Sequence, residues 1–348
     1  MARVLVTGSS GYIGSVLVPM LQEQGDEVIG LDVGYFEECT FGPAPAPVEM
    51  IRKDVRELTI EDMPKVDAVI HLAALSNDAL GHLRPEITHE VNTLSTLRVA
   101  ELAREAGVER FLFSSSCSLY GAGEGDTPLD ESASMHPQTP YGRSKQDSEA
   151  GLTELATDDF SPVYLRNATA YGFSPRLRGD LVVNELAARA RVDGIVKLNS
   201  DGTAWRPLVH VEDIARAFVA CMRAPREVVH DEAFNVGTTV ENFTIREVAQ
   251  MICDAVPGAE VAFGEGAGPD TRSYRVSFEK LAEAVPDAVP QWTLKAGIEE
   301  LLAKYDEYGI TIEDLTEARY SRISWLMKER DAGHLDESLR RIYERAAS

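Results

Sequence analysis

The chain has 348 residues, 44% hydrophobic and 26% charged, the balance of a soluble globular protein large enough for two domains. Its formal charge of −23, from 34 basic against 57 acidic residues, argues against nucleic-acid and anionic-membrane partners. No apolar run is long enough to span a membrane, the N-terminal run is too short for a secretory signal, and Cys39, Cys117, Cys221 and Cys253 are scattered. A cytoplasmic protein without a disulfide framework is therefore expected. No metal is expected either: His82 and His89 have no supporting ligand spacing around them.

In chain order, "RVLVTG" (3–8) predicts a strand and "YIGSVLVPMLQEQG" (12–25) a helix with a closing glycine. "EVIGLDVG" (27–34) and "DAVIHLAAL" (67–75) predict further strands, with the rigid "PAPAP" (43–47) between them. "THEVNTLSTLRVAELAREAG" (88–107) reads as one long amphipathic helix, and "RFLFSSS" (110–116) as a fourth strand. Alternating helices and continuously apolar strands predict an α/β fold with a doubly wound, Rossmann-type parallel sheet. Beyond residue 165 the rhythm loosens, with strands in 161–172, 233–239 and 258–266, helices in 181–192 and 244–256, and in 203–222 a strand followed by a helix that begins near Asp213. The final segment is charged and mostly helical. Trp325, Leu326 and Ile342 are expected to pack onto the body, and no chemistry is assigned to that segment.

Gly8, Gly11 and Gly14 stand between the first strand and the first helix. Glycines there permit a tight turn, close approach of a diphosphate and close helix–sheet packing, while the helix N-terminus offers N–H groups. Tyr12 and Ile13 complete the turn, and Asp32 follows at the end of the second strand, the spacing of a dinucleotide site. A carboxylate at position 32 accepts ribose hydroxyls and repels a 2′-phosphate, and no Arg or Lys follows before Arg52, so NAD is preferred to NADP. Asp54 and Val55 are candidates for the adenine edge, or surface residues at a strand end. Tyr141 and Lys145 fall one helical turn apart. A free phenol has a pKa of about 10; a nearby ammonium favours its phenolate and makes Tyr141 an acid–base.

The motifs "TGSSGYIG" (7–14), "LAALS" (72–76), "VN" (91–92), "SSSCSLYG" (114–121), "YGRSK" (141–145), "LRNATAYG" (165–172) and "RPLVHVEDIARA" (206–217) occur in this order. Together they resemble the extended short-chain dehydrogenase/reductase family, specifically its NAD-dependent nucleotide-sugar epimerase/dehydratase branch. The resemblance implies an NAD-binding Rossmann domain (1–165 plus about 203–225) and a smaller, discontinuous nucleotide-sugar-binding domain (166–202 plus about 226–300). A helical C-terminal tail (301–348) follows. It implies NAD contacts at Leu72, Ala73, Ala74, Asn92 and Ser114, with Lys145 holding ribose hydroxyls and Tyr141 as acid–base. Ser116 would bind the reacting oxygen. Ser76, Thr169, Asp180, Leu181, Arg206, Asp270 and Arg272 would face a nucleotide-diphosphate sugar, with Arg176 and Arg178 flanking it. Homodimerisation through helices at about 88–107 and 140–157 is also implied.

Dehydratases of the family carry Asp-Glu after the catalytic Ser, and decarboxylases tend to carry Glu at the second place. Here the pair is Cys117-Ser118, which lacks a carboxylic acid. An epimerase that oxidises a sugar hydroxyl and re-reduces the ketone needs only Tyr, Ser and NAD. That is the favoured reading. A keto-sugar reductase is the main alternative, followed by a dehydratase or decarboxylase and a non-catalytic dinucleotide sensor. Cys117 is a secondary catalytic candidate; a thiol of pKa about 8.5 acts as acid or base only where its surroundings lower it. Thr169 stands where the family often has Asn, and Ala267 where it commonly has Arg. The nucleotide and the sugar stay open.

Overall fold

The computed structural model describes residues 1–342 except 77, 79, 80, 82, 83, 124–126, 265, 266, 269 and 271. The first strands are β1 (Arg3–Thr7), β2 (Glu27–Asp32), β3 (Glu49–Arg52), β4 (Ala68–His71), β5 (Arg110–Ser116) and β6 (Ser161–Asn167). They are followed by β7 (Thr169–Tyr171), β8 (Ile195–Leu198), β9 (Trp205–His210), β10 (Glu232–Val236), β11 (Asn242–Thr244) and β12 (Glu260–Phe263). Seven strands form one sheet in the order β10-β6-β5-β4-β1-β2-β3, every neighbouring pair parallel.

Alternation along the strands explains the two covered faces. Val4, Val6, Ile70, Leu112 and Leu165 pack with Leu17, Leu21, Ile214 and Phe218 of the helices Gly14–Glu23 and Val211–Arg223. Leu5, Ile29, Val69, Phe111 and Phe113 pack on the other face with Val99, Leu102 and Leu152 of the helices Ser95–Glu105 and Pro140–Leu155. After β3 the chain crosses back to lay β4 on the far side of β1. Such a reversal opens a crevice beyond the carboxyl ends of the strands.

Two strands depart from the expected domain boundaries. β10 falls within 226–300 yet pairs in register with β6, with Phe234 opposite Leu165, at the edge of the large sheet. β9 falls within 203–225 yet belongs to the three-stranded sheet β11-β9-β7. The switches of the chain between the two sheets therefore fall later than the motif positions reveal, after β9 and after β10. The smaller core gathers Tyr171, Val183, Leu186, Leu208, Val248, Ile252, Ile298 and Tyr305.

The long helix expected over 88–107 is also interrupted. Helix Pro85–His89 passes through a wider π-type turn at Glu90–Leu94 before Ser95–Glu105. The Asn92 carbonyl there accepts from Thr96 Oγ1 at 2.6 Å and Ser148 Oγ at 3.0 Å, replacing regular backbone bonds. His82 lies outside the described residues. Among the described residues, no helix is long and apolar enough to cross a membrane.

The C-terminal segment does pack. Leu326, Leu335 and Leu339 form a cluster with Leu75, Ile87 and Val91, and Trp325 is buried. Ile342 is not part of this contact; its side chain is exposed.

Candidate active site

The crevice is a cavity of about 990 Å3 shared by both units. Gly8 has φ +71°, and a Cβ there would lie 2.8 Å from the Ala73 nitrogen. A Cβ on Gly14 would run into the Gly8 carbonyl. The turn thus leaves bare backbone facing the cavity, together with Gly11, Tyr12 and Ile13, and Leu72, Ala73 and Ala74 form the opposite wall. Asp32 accepts from Gly34 N at 2.7 Å and Ser10 N at 3.0 Å. Burial pushes its carboxyl up, against those two amides. Arg52, the first cation after Asp32, is tied to Glu37. Asp54 is bound by Arg56, and both Asp54 and Val55 line the cavity. Bare glycine backbone at a helix start, with a carboxylate beside it, fits a dinucleotide.

Thr139 caps the helix Pro140–Leu155 by accepting from Gly142 N at 3.0 Å. The helix thereby starts where Tyr141 and Lys145 reach the cavity. Tyr141 and Ser116 line the same cavity wall. Burial pushes the Tyr141 phenol up to about 12, with Asp78 adding to the effect and Ser116 and Arg178 opposing it. Lys145 stands beside that ring, its Nζ 5.6 Å from the ring centre. Its Nζ donates to the Ser114 carbonyl at 2.7 Å, and burial brings its own pKa down to about 7.

The three serines at the end of β5 have separate duties. Ser114 Oγ accepts from Asn167 Nδ2 at 3.1 Å. Ser115 Oγ donates to Glu149, which is ion-paired with buried Arg166 at 2.7 Å. Ser116 lines the cavity with Tyr141, its Oγ accepting from Ser118 N at 3.2 Å. Cys117 is a correction to the candidate set. The chain turns at the end of β5, and its thiol points into the apolar core and donates to the Arg166 carbonyl at 3.1 Å. Burial pushes that thiol up, the wrong direction for an acid–base near neutrality. Ser118 lines the cavity instead, its Oγ buried without a protein partner.

Asn92 is likewise not on the cavity wall. Its amide accepts from Leu75 N at 2.8 Å and donates to Leu75 O at 3.2 Å and Ser144 Oγ at 3.1 Å. It fixes the loop after β4 against the helix carrying Tyr141.

At the other end, Arg206 donates to Asp270 at 2.7 Å, and Arg272 reaches Asp270 at 3.0 Å and Asp78 at 3.1 Å. Burial works against the charge on Asp270, but the two guanidinium groups hold its carboxyl low. Thr169, Leu181 and Ser76 also face the cavity. Arg178 pairs with Asp180 at 3.0 Å and donates to Ser76 Oγ at 3.2 Å. Arg176 is turned away, donating to the Glu37 carbonyl at 2.6 Å and to Thr40. Sequence reasoning missed Asn167, Tyr35, Phe36 and Lys197, and above all Arg322 and Leu326 of the C-terminal segment, all of which line the cavity. Asn167 lies inside the "LRNATAYG" motif without a role assigned to it, and no local motif marks the others.

The UDP-glucose 4-epimerase of Mycolicibacterium smegmatis is 30% identical over 316 residues, covering 88% of this chain and 98% of that protein. UDP-glucuronic acid decarboxylase 1 of Arabidopsis thaliana is 28% identical over 87% of this chain and 69% of its own length. Among solved structures, MoeE5 in complex with UDP-glucose and NAD superimposes with a TM-score of 0.74 at 28% identity, covering 88% of this chain and 99% of that one. Residues 4–237 match the NAD dependent epimerase/dehydratase family. With the glycine turn, Asp32 and the Tyr141–Ser116 pair facing one cavity, the chain belongs to that family, as an enzyme of epimerase/dehydratase type whose cofactor is NAD.

Proposed function

We propose that the chain is a nucleotide-sugar epimerase, which oxidises a sugar hydroxyl to a ketone and re-reduces it on the other face. The observation that carries this reading is that Tyr141 and Ser116 line the same cavity as the glycine turn. NAD supplies the hydride acceptor and returns the hydride. Ser116 and Tyr141 hold the reacting hydroxyl; with the positively charged nicotinamide of bound NAD favouring the phenolate, Tyr141 Oη would take the hydroxyl proton and later give it back. Lys145 fixes the Ser114 carbonyl and the cofactor's ribose side of the pocket. Arg206 and Arg272 grip the substrate diphosphate, for which planar guanidinium forks are suited. Cys117 and Ser118 offer no carboxylic acid to expel a hydroxyl, which favours an epimerase over a dehydratase. The named epimerase relative points to a UDP-hexose as the first substrate to try. The working form in this reading is a cytoplasmic homodimer, joined through the helices Ser95–Glu105 and Pro140–Leu155.

The test is to denature freshly purified protein and identify the released nucleotides by mass. Near-stoichiometric NAD or NADH supports a cofactor retained through turnover. Protein released empty that then binds NADPH better than NADH overturns the epimerase reading in favour of a keto-sugar reductase. Turnover of UDP-glucose in D2O supplies the second arm. Inversion without solvent deuterium at the inverted carbon is expected, and deuterium there overturns the hydride route.

A further inference from the structure

Arg322 begins the helix Arg322–Asp331, which Ser321 caps. Its side chain is only 7% exposed. The guanidinium lies 4.2 Å from the centre of the Phe36 ring, and Nη2 donates to the Arg176 carbonyl at 2.8 Å. Among the described residues, its buried Nη1 has no hydrogen-bond partner. A buried charged donor left unmatched is costly, so such a group ordinarily meets an anion. Burial, together with Arg178 and Arg176, brings the Arg322 pKa down to about 10, with Asp180 opposing.

Its position in the cavity identifies the anion. Tyr12, on the glycine turn, donates to the Gly172 carbonyl at 2.7 Å, and Ser174 Oγ donates to the Tyr12 carbonyl at 2.8 Å. The loop 172–178 is thereby seated on the turn, and Arg322 is braced on that loop. The segment carrying Arg322 also covers the residues just after Asp32. Trp325 Nε1 donates to Tyr35 O at 2.7 Å, Arg341 Nε to Val33 O at 3.0 Å, and Arg56 Nη1 to Ser338 O at 2.7 Å. The anion that belongs at a glycine turn opening a helix is the diphosphate of a dinucleotide. Arg206 and Arg272 stand apart, tied to Asp270.

We propose that Arg322 donates its buried Nη1–H to a phosphate of the bound dinucleotide, so that the C-terminal segment forms part of the cofactor site. This rests on the NAD assignment and not on the reaction being an epimerisation, and the test needs no turnover. Cofactor-free protein is titrated calorimetrically with NAD and, separately, with UDP, as wild type and as Arg322→Met and Arg322→Lys. Arg322→Met should weaken NAD by about ten- to a hundredfold, the range for a lost hydrogen bond to a charged group, and leave UDP within about twofold. Arg322→Lys should recover part of the loss. UDP weakened while NAD is unchanged would assign the guanidinium to the nucleotide sugar and overturn the proposal. Equal NAD affinity in all three proteins would overturn it as well. Hydrogen exchange on the wild-type protein keeps the test open should Arg322→Met fold poorly. Amides of 322–341 should slow when NAD is added, and unchanged exchange there counts against the proposal.

Discussion

Lys145 Nζ donates to the Ser114 carbonyl at 2.7 Å while sitting 5.6 Å from the centre of the Tyr141 ring. The ammonium is therefore held at the end of β5, and burial brings it down to about 7 from 10.5. The unfolded chain keeps a proton that the folded chain releases between those two values. Stability of the cofactor-free protein should rise with pH through about 7 to 10.5, by at most about 1.4 kcal/mol per pH unit from this one group. Below about 7 both states hold the proton and the burial penalty is fully present. In Lys145→Met that slope should vanish. Urea midpoints across this pH range, wild type against variant, check it; parallel curves would remove Lys145 as the source.

Tyr141→Phe keeps the ring and removes the hydroxyl on the cavity wall shared with Ser116. Turnover should fall by at least about a hundredfold, the scale of a lost acid–base group, with the thermal midpoint nearly unchanged. Near-native turnover in a well-folded variant would take Tyr141 out of the chemistry.

Glu149 stands one layer behind the site, paired with Arg166 at 2.7 Å, both side chains buried. Removing it leaves a buried guanidinium and the Ser115 hydroxyl without their carboxylate. Glu149→Ala should cost about 3–5 kcal/mol of stability, read from urea unfolding. An unchanged midpoint would show that solvent replaces the carboxylate.

Arg206 is bound to Asp270 at 2.7 Å and directed at the end of the cavity away from the glycine turn. Arg206→Met should weaken UDP by about tenfold or more and leave NAD unaffected, by calorimetry. The opposite pattern would exchange the two ends of the cavity.

What could be read from the sequence was local. The glycine turn with Asp32, and the Tyr141–Lys145 pair, are fixed by spacing along one strand or one helical turn, so their partners are implied by their neighbours. Cys117 was misplaced because spacing cannot tell which way a side chain leaves the turn after β5. Asn92 sits beside the cavity without facing it, because its amide is engaged by Leu75 and Ser144. Arg322 is invisible in the sequence because its partners across the cavity wall, Phe36 and Arg176, lie far from it along the chain. The neighbouring bond from Trp325 to Tyr35 joins residues 290 positions apart. The same holds for β10, whose place beside β6 depends on pairing across 69 residues, as between Glu232 and Val163.

A cofactor that is reduced and reoxidised in place must have a residence time longer than a turnover. The wall beside Asp32 is held down by Leu326, Leu335 and Leu339 against Leu75, Ile87 and Val91. Each such leucine contributes about 1.5–3 kcal/mol on burial. In the epimerase reading, a substitution among these leucines is expected to shorten the residence time of the dinucleotide without touching it.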